Sequence, residues 1–261
     1  KLAELAGRTA GKILDVGSDA RVSAAFLQAE ANAACVYAMN LQAQAVKGII
    51  DGFRALNPLE YVVLVGNDRA IPFFRYTDNA LLANENDFSP PVLDNTTSQA
   101  SLKSGYILSQ DAYGARTELS FKAGTIPVPD LAVGRLVETA ADINHVLDAY
   151  LSTPDGTAPV SSALVTGYDF LEDTAEAVYD RLSESLGTEV LDSLITDSAA
   201  TPQTLWSADD LRQSLLGGRH DLTFLAGHFS AYSALAADMN PGNSLKASEV
   251  YTSTTDFTNS L

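Results

Sequence analysis

The chain has 261 residues, and its 33 Asp and Glu outnumber its 16 Lys and Arg to give a formal net charge of −17. With 46% apolar residues, a chain of this length can bury a large core in one large or two modest domains. The acidic balance argues against nucleic-acid binding, which requires a clustered basic surface. No apolar run approaches the roughly 20 residues that a membrane-spanning helix needs, so no membrane span is expected.

Cys35 is the only cysteine, which excludes an intrachain disulfide and a metal site of paired cysteines. Its neighbours read Ala-Ala-Cys-Val-Tyr, a pattern that predicts a buried strand. A buried cysteine in apolar surroundings is usually an inert small hydrophobe. We therefore interpret Cys35 as a structural residue and not as a nucleophile.

The first part of the chain alternates between strand-like and helix-like patterns. Short apolar runs predict strands at 11–16 and 34–37. Between 41 and 56 the apolar residues recur on one helical face, and Pro58 marks the end of this predicted helix. The run at 61–65 is continuous and apolar, which is typical of a strand buried on both faces.

The middle of the chain is less regular. Residues 72–104 are rich in Pro, Asn, Ser and Asp, which predicts a long surface excursion. Strand character returns at 105–109 and 131–133, and a helix with a capping box at its start is predicted over 139–151. Turn formers and two prolines at 152–159 then indicate a boundary between two subdomains.

The second part repeats the alternation of strands and helices, which indicates an α/β protein with a mainly parallel sheet. We predict a supporting subdomain over 1–155 and a second subdomain over 160–261. In the second subdomain, strands are predicted at 162–166, 188–191 and 221–226, and helices at 173–186, after Ser207 with Asp210 as its capping partner, and at 245–251.

The strand at 221–226 delivers Gly227 and His228 at its carboxyl end, where ligands and chemistry collect in open α/β sheets. From position alone, an ordinary turn histidine is the alternative interpretation of His228. His145 falls off the apolar stripe of its helix and is predicted to face solvent. His220 precedes the strand and is predicted to be a loop residue, not a catalyst.

Four blocks of sequence punctuate these elements. They are Tyr61 to Pro72, ending in Ile-Pro; Ser109 to Gly114, ending in Tyr-Gly; Leu131 to Leu136, with a central Gly-Arg; and Gly217 to His228, running from Gly-Gly through a strand to Gly-His. Each block alone does not specify a family, because a strand followed by glycine is common in α/β proteins. In this order they resemble the gingipain family of cysteine peptidases, relatives of caspases, legumains and clostripain, over nearly the whole chain.

The resemblance implies a caspase-like fold of three αβα layers in two subdomains and a secreted or cell-surface protein that cleaves protein or peptide substrates without a required cofactor. It implies that His228 is the general base and acid, while a cysteine on the next core strand is the nucleophile. No cysteine follows His228. The nucleophile and the rest of the catalytic subdomain are therefore expected beyond Leu261, about one strand length of five or six residues or a little further on.

The resemblance also implies further site residues. Gly227 and Phe229 flank the histidine, and the family usually has glycine where Phe229 stands, with its backbone N–H in the oxyanion hole. If that position needs positive φ, Phe229 would be strained. Asp169, Glu172 or Asp173 would shape a pocket for a basic residue before the cut. The alternative is that Glu172 and Asp173 favour a helix N-terminus through its dipole.

Two other interpretations of the chain stay open from sequence. One is a peptidase-like domain without activity that serves as a binding or structural module of a larger secreted protein. The other is an unrelated doubly wound domain that binds a nucleotide or flavin, although no G-x-G-x-x-G or Walker-type loop occurs. A structural calcium ion is also possible on the aspartates of the long loop and its surroundings, Asp68, Asp78, Asp87, Asp94 and Asp111.

Overall fold

The computed structural model describes residues 1–80, 84–87, 92–122, 124–201, 204–230, 232–258 and 260–261. The chain divides into two compact units, residues 1–148 and 149–261. Each combines helices with short strands, which agrees with the predicted α/β class. Within the described ranges, no helix is both long and apolar enough to cross a membrane.

The first unit contains two kinds of strand pairing. β1 and β6 pair in parallel, with Tyr61 level with Ala132. β2 pairs with β3, and β4 pairs with β5, both antiparallel. The elements in chain order are α1 (Leu2–Arg8), α2 (Ala20–Ala31), α3 (Val36–Arg54), β1 (Tyr61–Val65), β2 (Phe74–Thr77), α4 (Thr97–Lys103), β3 (Tyr106–Ser109), β4 (Ala115–Phe121), β5 (Gly124–Pro129), β6 (Ala132–Leu136) and α5 (Ala140–Ser152), which extends into the second unit.

Two strands predicted near the N-terminus are wrong. Residues 11–15 form no strand, and the Asp15 carboxylate accepts a hydrogen bond from Gly17 N in a short 3-10 turn. Residues 36–37 form the start of α3. The buried positions of this helix recur every four residues from Ala38 to Ile50, which is a helical and not a strand period. Cys35 consequently precedes a helix and is exposed, so the prediction that it is buried in a strand is also wrong.

Two further predictions for this unit need correction. β1 is not buried on both faces: Leu64 is buried, but Tyr61 and Val63 are exposed. Its only strand partner in the described chain is β6, so one edge carries no neighbour. The segment 72–104 is not a plain surface excursion, since its described residues include β2 and α4. Arg75 of β2 forms a buried ion pair with Asp68, which fixes this strand to the segment that follows β1.

Three of the four sequence blocks that carry the family resemblance pack together in the first unit. The Tyr113 hydroxyl donates to Pro72 O at 2.5 Å. Arg135 donates to Gly66 O at 2.7 Å and to Ile71 O at 2.8 Å, and its guanidinium lies 4.1 Å from the Phe73 ring centroid. These residues therefore join the ends of β1 and β6 to the segments that follow β1 and β3, which gives the first three blocks a structural role.

Gly114 provides a test of this packing. A Cβ at this position would lie 2.5 Å from Leu131 O and 2.7 Å from Val133 Cγ2. We expect Gly114→Ala to lower the free energy of unfolding by about 1–3 kcal/mol, because the backbone of the 131–133 segment would have to move. Chemical denaturation followed by circular dichroism measures the change. Gly52→Ala in α3 is the control, since its Cβ meets nothing within 4 Å and alanine favours a helix.

The second unit is built around a parallel three-stranded sheet in the order β8-β7-β9. All five residues of β7 are buried, and Ala163 lies level with Leu191 on one side and Leu222 on the other. The elements are β7 (Ala163–Gly167), α6 (Glu172–Leu186), β8 (Leu191–Ile195), α7 (Ala208–Gly217), β9 (Leu222–Leu225), β10 (Ser233–Ala234), β11 (Leu245–Lys246) and α8 (Ala247–Thr252).

Two local predictions for this unit need correction, and the first is the helix predicted at 245–251, which begins only at Ala247 because residues 245–246 pair with β10 as β11. The capping box predicted at Ser207 and Asp210 is present, and both of its hydrogen bonds form at the start of α7. The strand predicted at 188–191 is wrong, because 188–190 form a 3-10 turn and β8 begins at Leu191. Gly187 adopts a φ of +89° at this point, which favours a turn over an extended start.

Candidate functional site

His228 lies three residues beyond the end of β9, at the carboxyl edge of the parallel sheet, and its side chain is exposed. Its backbone N–H donates to the Tyr168 hydroxyl at 3.2 Å. The same hydroxyl donates to Leu235 O at 2.6 Å. Tyr168 immediately follows β7, so one phenol from the central strand joins the segment after β9 to the chain that returns from it.

Aromatic rings surround the imidazole on the side of β7. The ring centroids of His228 and Tyr168 are 5.6 Å apart, and those of His228 and Phe170 are 5.9 Å apart. Tyr168 also contacts Trp206 at 5.7 Å, and the Trp206 indole N–H donates to Gly167 O at 3.1 Å. Within the described residues the imidazole has ring contacts but no hydrogen bond, so its ring nitrogens are free for an incoming group.

Gly227 is required by the position of the Tyr168 ring. A Cβ on Gly227 would lie 2.7 Å from Tyr168 Cζ and 2.8 Å from Tyr168 Cε1. Tyr168 is 1% exposed and packed between Phe170 and Trp206, so its ring has little room to retreat. Glycine therefore lets the backbone before His228 approach the phenol closely.

We expect Gly227→Ala to destabilise the second unit by about 1–3 kcal/mol and to displace His228, because the new methyl group overlaps the Tyr168 ring. Denaturation followed by fluorescence of Trp206, the only tryptophan, measures the loss in this core. Gly217→Ala is the matched control, since its Cβ would meet nothing within 4 Å. Equal stability of the two variants would show that the ring moves aside without cost.

The backbone N–H of Phe229 is available to donate a hydrogen bond. Ser230 N donates to Ser233 O, and Leu235 N donates to His228 O, so these residues form a small antiparallel turn around the Phe229 and Ala234 bridge. In this pattern the N–H of Phe229 points away from the turn, and it has no partner among the described residues. Phe229 does not adopt positive φ, so the strain considered from sequence does not arise.

The outer edge of β9 carries the last residue of the chain. Leu261 N donates to Asp221 O at 2.9 Å, and Thr223 N donates to Leu261 O at 2.8 Å. This is the hydrogen-bond pattern of a parallel pair, with Leu261 level with Leu222. Beyond this bridge, β9 has no described neighbour on the side away from β7.

The three carboxylates predicted to shape a substrate pocket bind nearby backbone amides. Asp169 accepts from Phe170 N at 2.8 Å, and Asp173 accepts from Thr174 N at 2.7 Å in the first turn of α6. Glu172 accepts from Ser198 N at 2.9 Å, which joins α6 to the segment after β8. Asp169 and Asp173 remain exposed, so the structure brings no buried acidic pocket together from these residues.

Three of the five aspartates considered for calcium, Asp68, Asp78 and Asp94, are engaged by other groups, and Asp111 is exposed. Asp68 accepts from Arg75, and Asp78 accepts from Ala80 N and Glu85 N. Asp94 accepts from Gln99, and the side chain of Asp87 lies outside the described residues. In the part of the chain that the structure describes, no three His, Cys, Asp or Glu residues come together as a metal site.

The other two histidines differ in their surroundings. His145 is exposed, as predicted. His220 lies in the loop before β9, as predicted, but it is buried, and its Nε2 lies 2.9 Å from the Asp192 carboxylate. It stands at the amino end of the sheet, whereas His228 stands at the carboxyl end, so the two histidines belong to different sites.

Sequence reasoning missed Tyr168 and Phe170 as neighbours of the histidine. Tyr168 directly follows the central strand and Phe170 comes two residues later, and the carboxyl ends of neighbouring parallel strands lie at one edge of a sheet. An aromatic pair at that point in the sequence was the available signal.

Comparisons with protein-family models, with curated proteins and with solved structures find no match to this chain.

Proposed function

We propose that this chain carries the histidine side of the catalytic site of a gingipain-type cysteine peptidase with a caspase-like, three-layer fold. The observation that supports it most is the position of His228, exposed at the carboxyl edge of a parallel sheet beside the outer edge of β9. Such an edge can accept a further strand, and that strand would bring its own carboxyl end to the imidazole.

The pairing of Leu261 supports this proposal and gives it a register. Because Leu261 lies level with Leu222, a strand that continued in parallel would pass Leu225 and then His228. Each residue of a parallel pair advances by a similar rise on both strands. A residue about three to six positions after Leu261 would therefore stand level with the segment from Leu225 to His228. We propose the nucleophilic cysteine in this interval.

The chemistry follows from these groups. The His228 imidazole takes the proton of the cysteine S–H, and the thiolate sulfur forms a bond to the substrate carbonyl carbon. The N–H of Phe229 donates to the oxygen that gains negative charge. The imidazolium then protonates the leaving amine as the peptide C–N bond breaks, and water hydrolyses the thioester with His228 again as base.

The substrate class of this proposal is a protein or peptide, with a basic residue before the cut. Asp169 is the carboxylate best placed for such recognition, since it is exposed and immediately precedes Phe170, whose ring contacts His228. The net charge of −17 favours cationic substrates. A secreted or cell-surface location is part of the same proposal.

An inactive peptidase-like binding module is the second candidate, and Phe229 in place of the usual glycine favours it. The sequence that follows Leu261 separates the two. The peptidase proposal expects a cysteine within about six residues after Leu261. A strand there without cysteine would contradict catalysis and leave the binding module.

A further inference from the structure

We infer that Tyr168 is a positioning residue that holds the His228 imidazole in place through its phenolic hydroxyl. This inference rests on the proposed peptidase function. Tyr168 belongs to the segment after β7 and His228 to the segment after β9, so their contact fixes one strand end against the other.

The hydroxyl makes two hydrogen bonds on the two sides of the His228 turn. It accepts from His228 N at 3.2 Å and donates to Leu235 O at 2.6 Å. His228 O in turn accepts from Leu235 N at 3.0 Å, which closes a small network around one residue. The backbone of His228 is thus held from both its N–H and its C=O.

The surroundings of the phenol keep this network intact. Tyr168 is 1% exposed, so water has little access to compete for its hydroxyl. Burial raises the pKa of Tyr168, which keeps the hydroxyl protonated and able to donate well above neutral pH. The absence of a Cβ at Gly227 gives the ring the space to reach this point.

The imidazole itself depends on this anchoring. It packs against the Tyr168 and Phe170 rings at interplanar angles of 56° and 44°. Among the described residues, no side chain donates to or accepts from its ring nitrogens to set the orientation. Its direction therefore follows from the backbone that Tyr168 holds and from the two rings.

The test is Tyr168→Phe in the longer protein that includes the strand after Leu261. The variant keeps the ring and removes the hydroxyl together with both of its hydrogen bonds, so we expect kcat to fall by at least about 10-fold, with KM changed less than about 2-fold. The pH at the acid midpoint of kcat/KM should stay unchanged, because orientation and not protonation is altered. Tyr251→Phe, at an exposed tyrosine on α8, is the control and should leave both constants unchanged.

A second measurement uses the 261-residue chain and needs no activity. Hydrogen exchange of the His228 amide, followed by NMR, should accelerate in Tyr168→Phe and not in Tyr251→Phe, since its acceptor is lost. Unchanged exchange of the His228 amide in Tyr168→Phe, or a fall in kcat/KM that comes from KM alone, would overturn the positioning role. An inactive wild type with accelerated exchange in the variant would instead reject the proposed peptidase and restrict Tyr168 to holding the turn.

Discussion

His228→Ala in the longer protein is expected to lower the kcat for a fluorogenic peptide by about 10²–10⁴, the usual contribution of general acid and base catalysis. In the proposed mechanism, loss of the imidazole leaves the cysteine thiol largely protonated near neutral pH and the leaving amine without a proton donor. KM should change little, because in the proposed mechanism the side chain contacts the reacting atoms and not the rest of the substrate. Steady-state kinetics at several pH values measure both constants.

His145→Ala is the matched control for this substitution. Its imidazole is exposed on α5 in the first unit, so its loss should leave kcat within about 2-fold of the wild type. If His228→Ala and His145→Ala gave the same turnover, His228 would have no part in the chemistry.

Arg75→Met is expected to produce the largest loss of stability in the first unit, about 3–5 kcal/mol. The Arg75 side chain is fully buried and donates to both oxygens of Asp68, at 2.7 and 2.5 Å. It also donates to Ser101 Oγ and to Phe73 O. Methionine fills similar volume but leaves the Asp68 carboxylate buried without its cation, and chemical denaturation at pH 7 measures the cost.

The pH dependence of this loss identifies its origin. Burial opposes ionisation of Asp68, but the hydrogen bonds and charge of Arg75, with Ser98 and Phe73 N as further donors, hold its pKa below the usual value. In the wild type, this group therefore contributes stability above the unfolded pKa of about 3.9, and the contribution is lost as pH falls through the lower folded pKa. In Arg75→Met, burial dominates, Asp68 takes up a proton more readily, and the deficit should shrink as pH falls from 7 to 4.

Arg181→Met is the control for a lost arginine. Arg181 pairs with Glu184 on the surface of α6, with side chains 80% and 64% exposed, so its removal should cost less than about 0.5 kcal/mol. An Arg75→Met loss as small as that of Arg181→Met would show that the buried pair is not a determinant of the first unit.

Several elements were predictable because their signals are local. The capping box of α7 lies within four consecutive residues, from Ser207 to Asp210, and β7 and β9 are short segments made mostly of apolar and β-branched residues. The N-terminal strand predictions failed for a related reason. A run of four to six apolar residues has the same appearance in a strand, in a helix start and in an extended turn, and tertiary packing decides among them. The extension of α3 upstream to Val36 is one such decision.

The candidate site was only partly predictable. The position of His228 after a strand could be read from sequence, since the strand and Gly227 directly precede it. The role of Tyr168 could not, because its hydroxyl meets His228 N across 60 residues, and that contact depends on β9 lying directly beside β7. The engagement of Glu172 with Ser198 N, 26 residues away, is likewise set by the order of the strands.

The most direct measurement is covalent labelling of the longer protein with a peptidyl acyloxymethyl ketone that carries a basic residue, followed by mapping of the labelled site by mass spectrometry. Cys35→Ser is the background for the experiment, because Cys35 is exposed and can react on its own. We expect the label on one cysteine about three to six residues after Leu261, and its loss in His228→Ala. Absence of a labelled cysteine in that interval, or labelling that His228→Ala leaves unchanged, would contradict a catalytic site at the β9 edge.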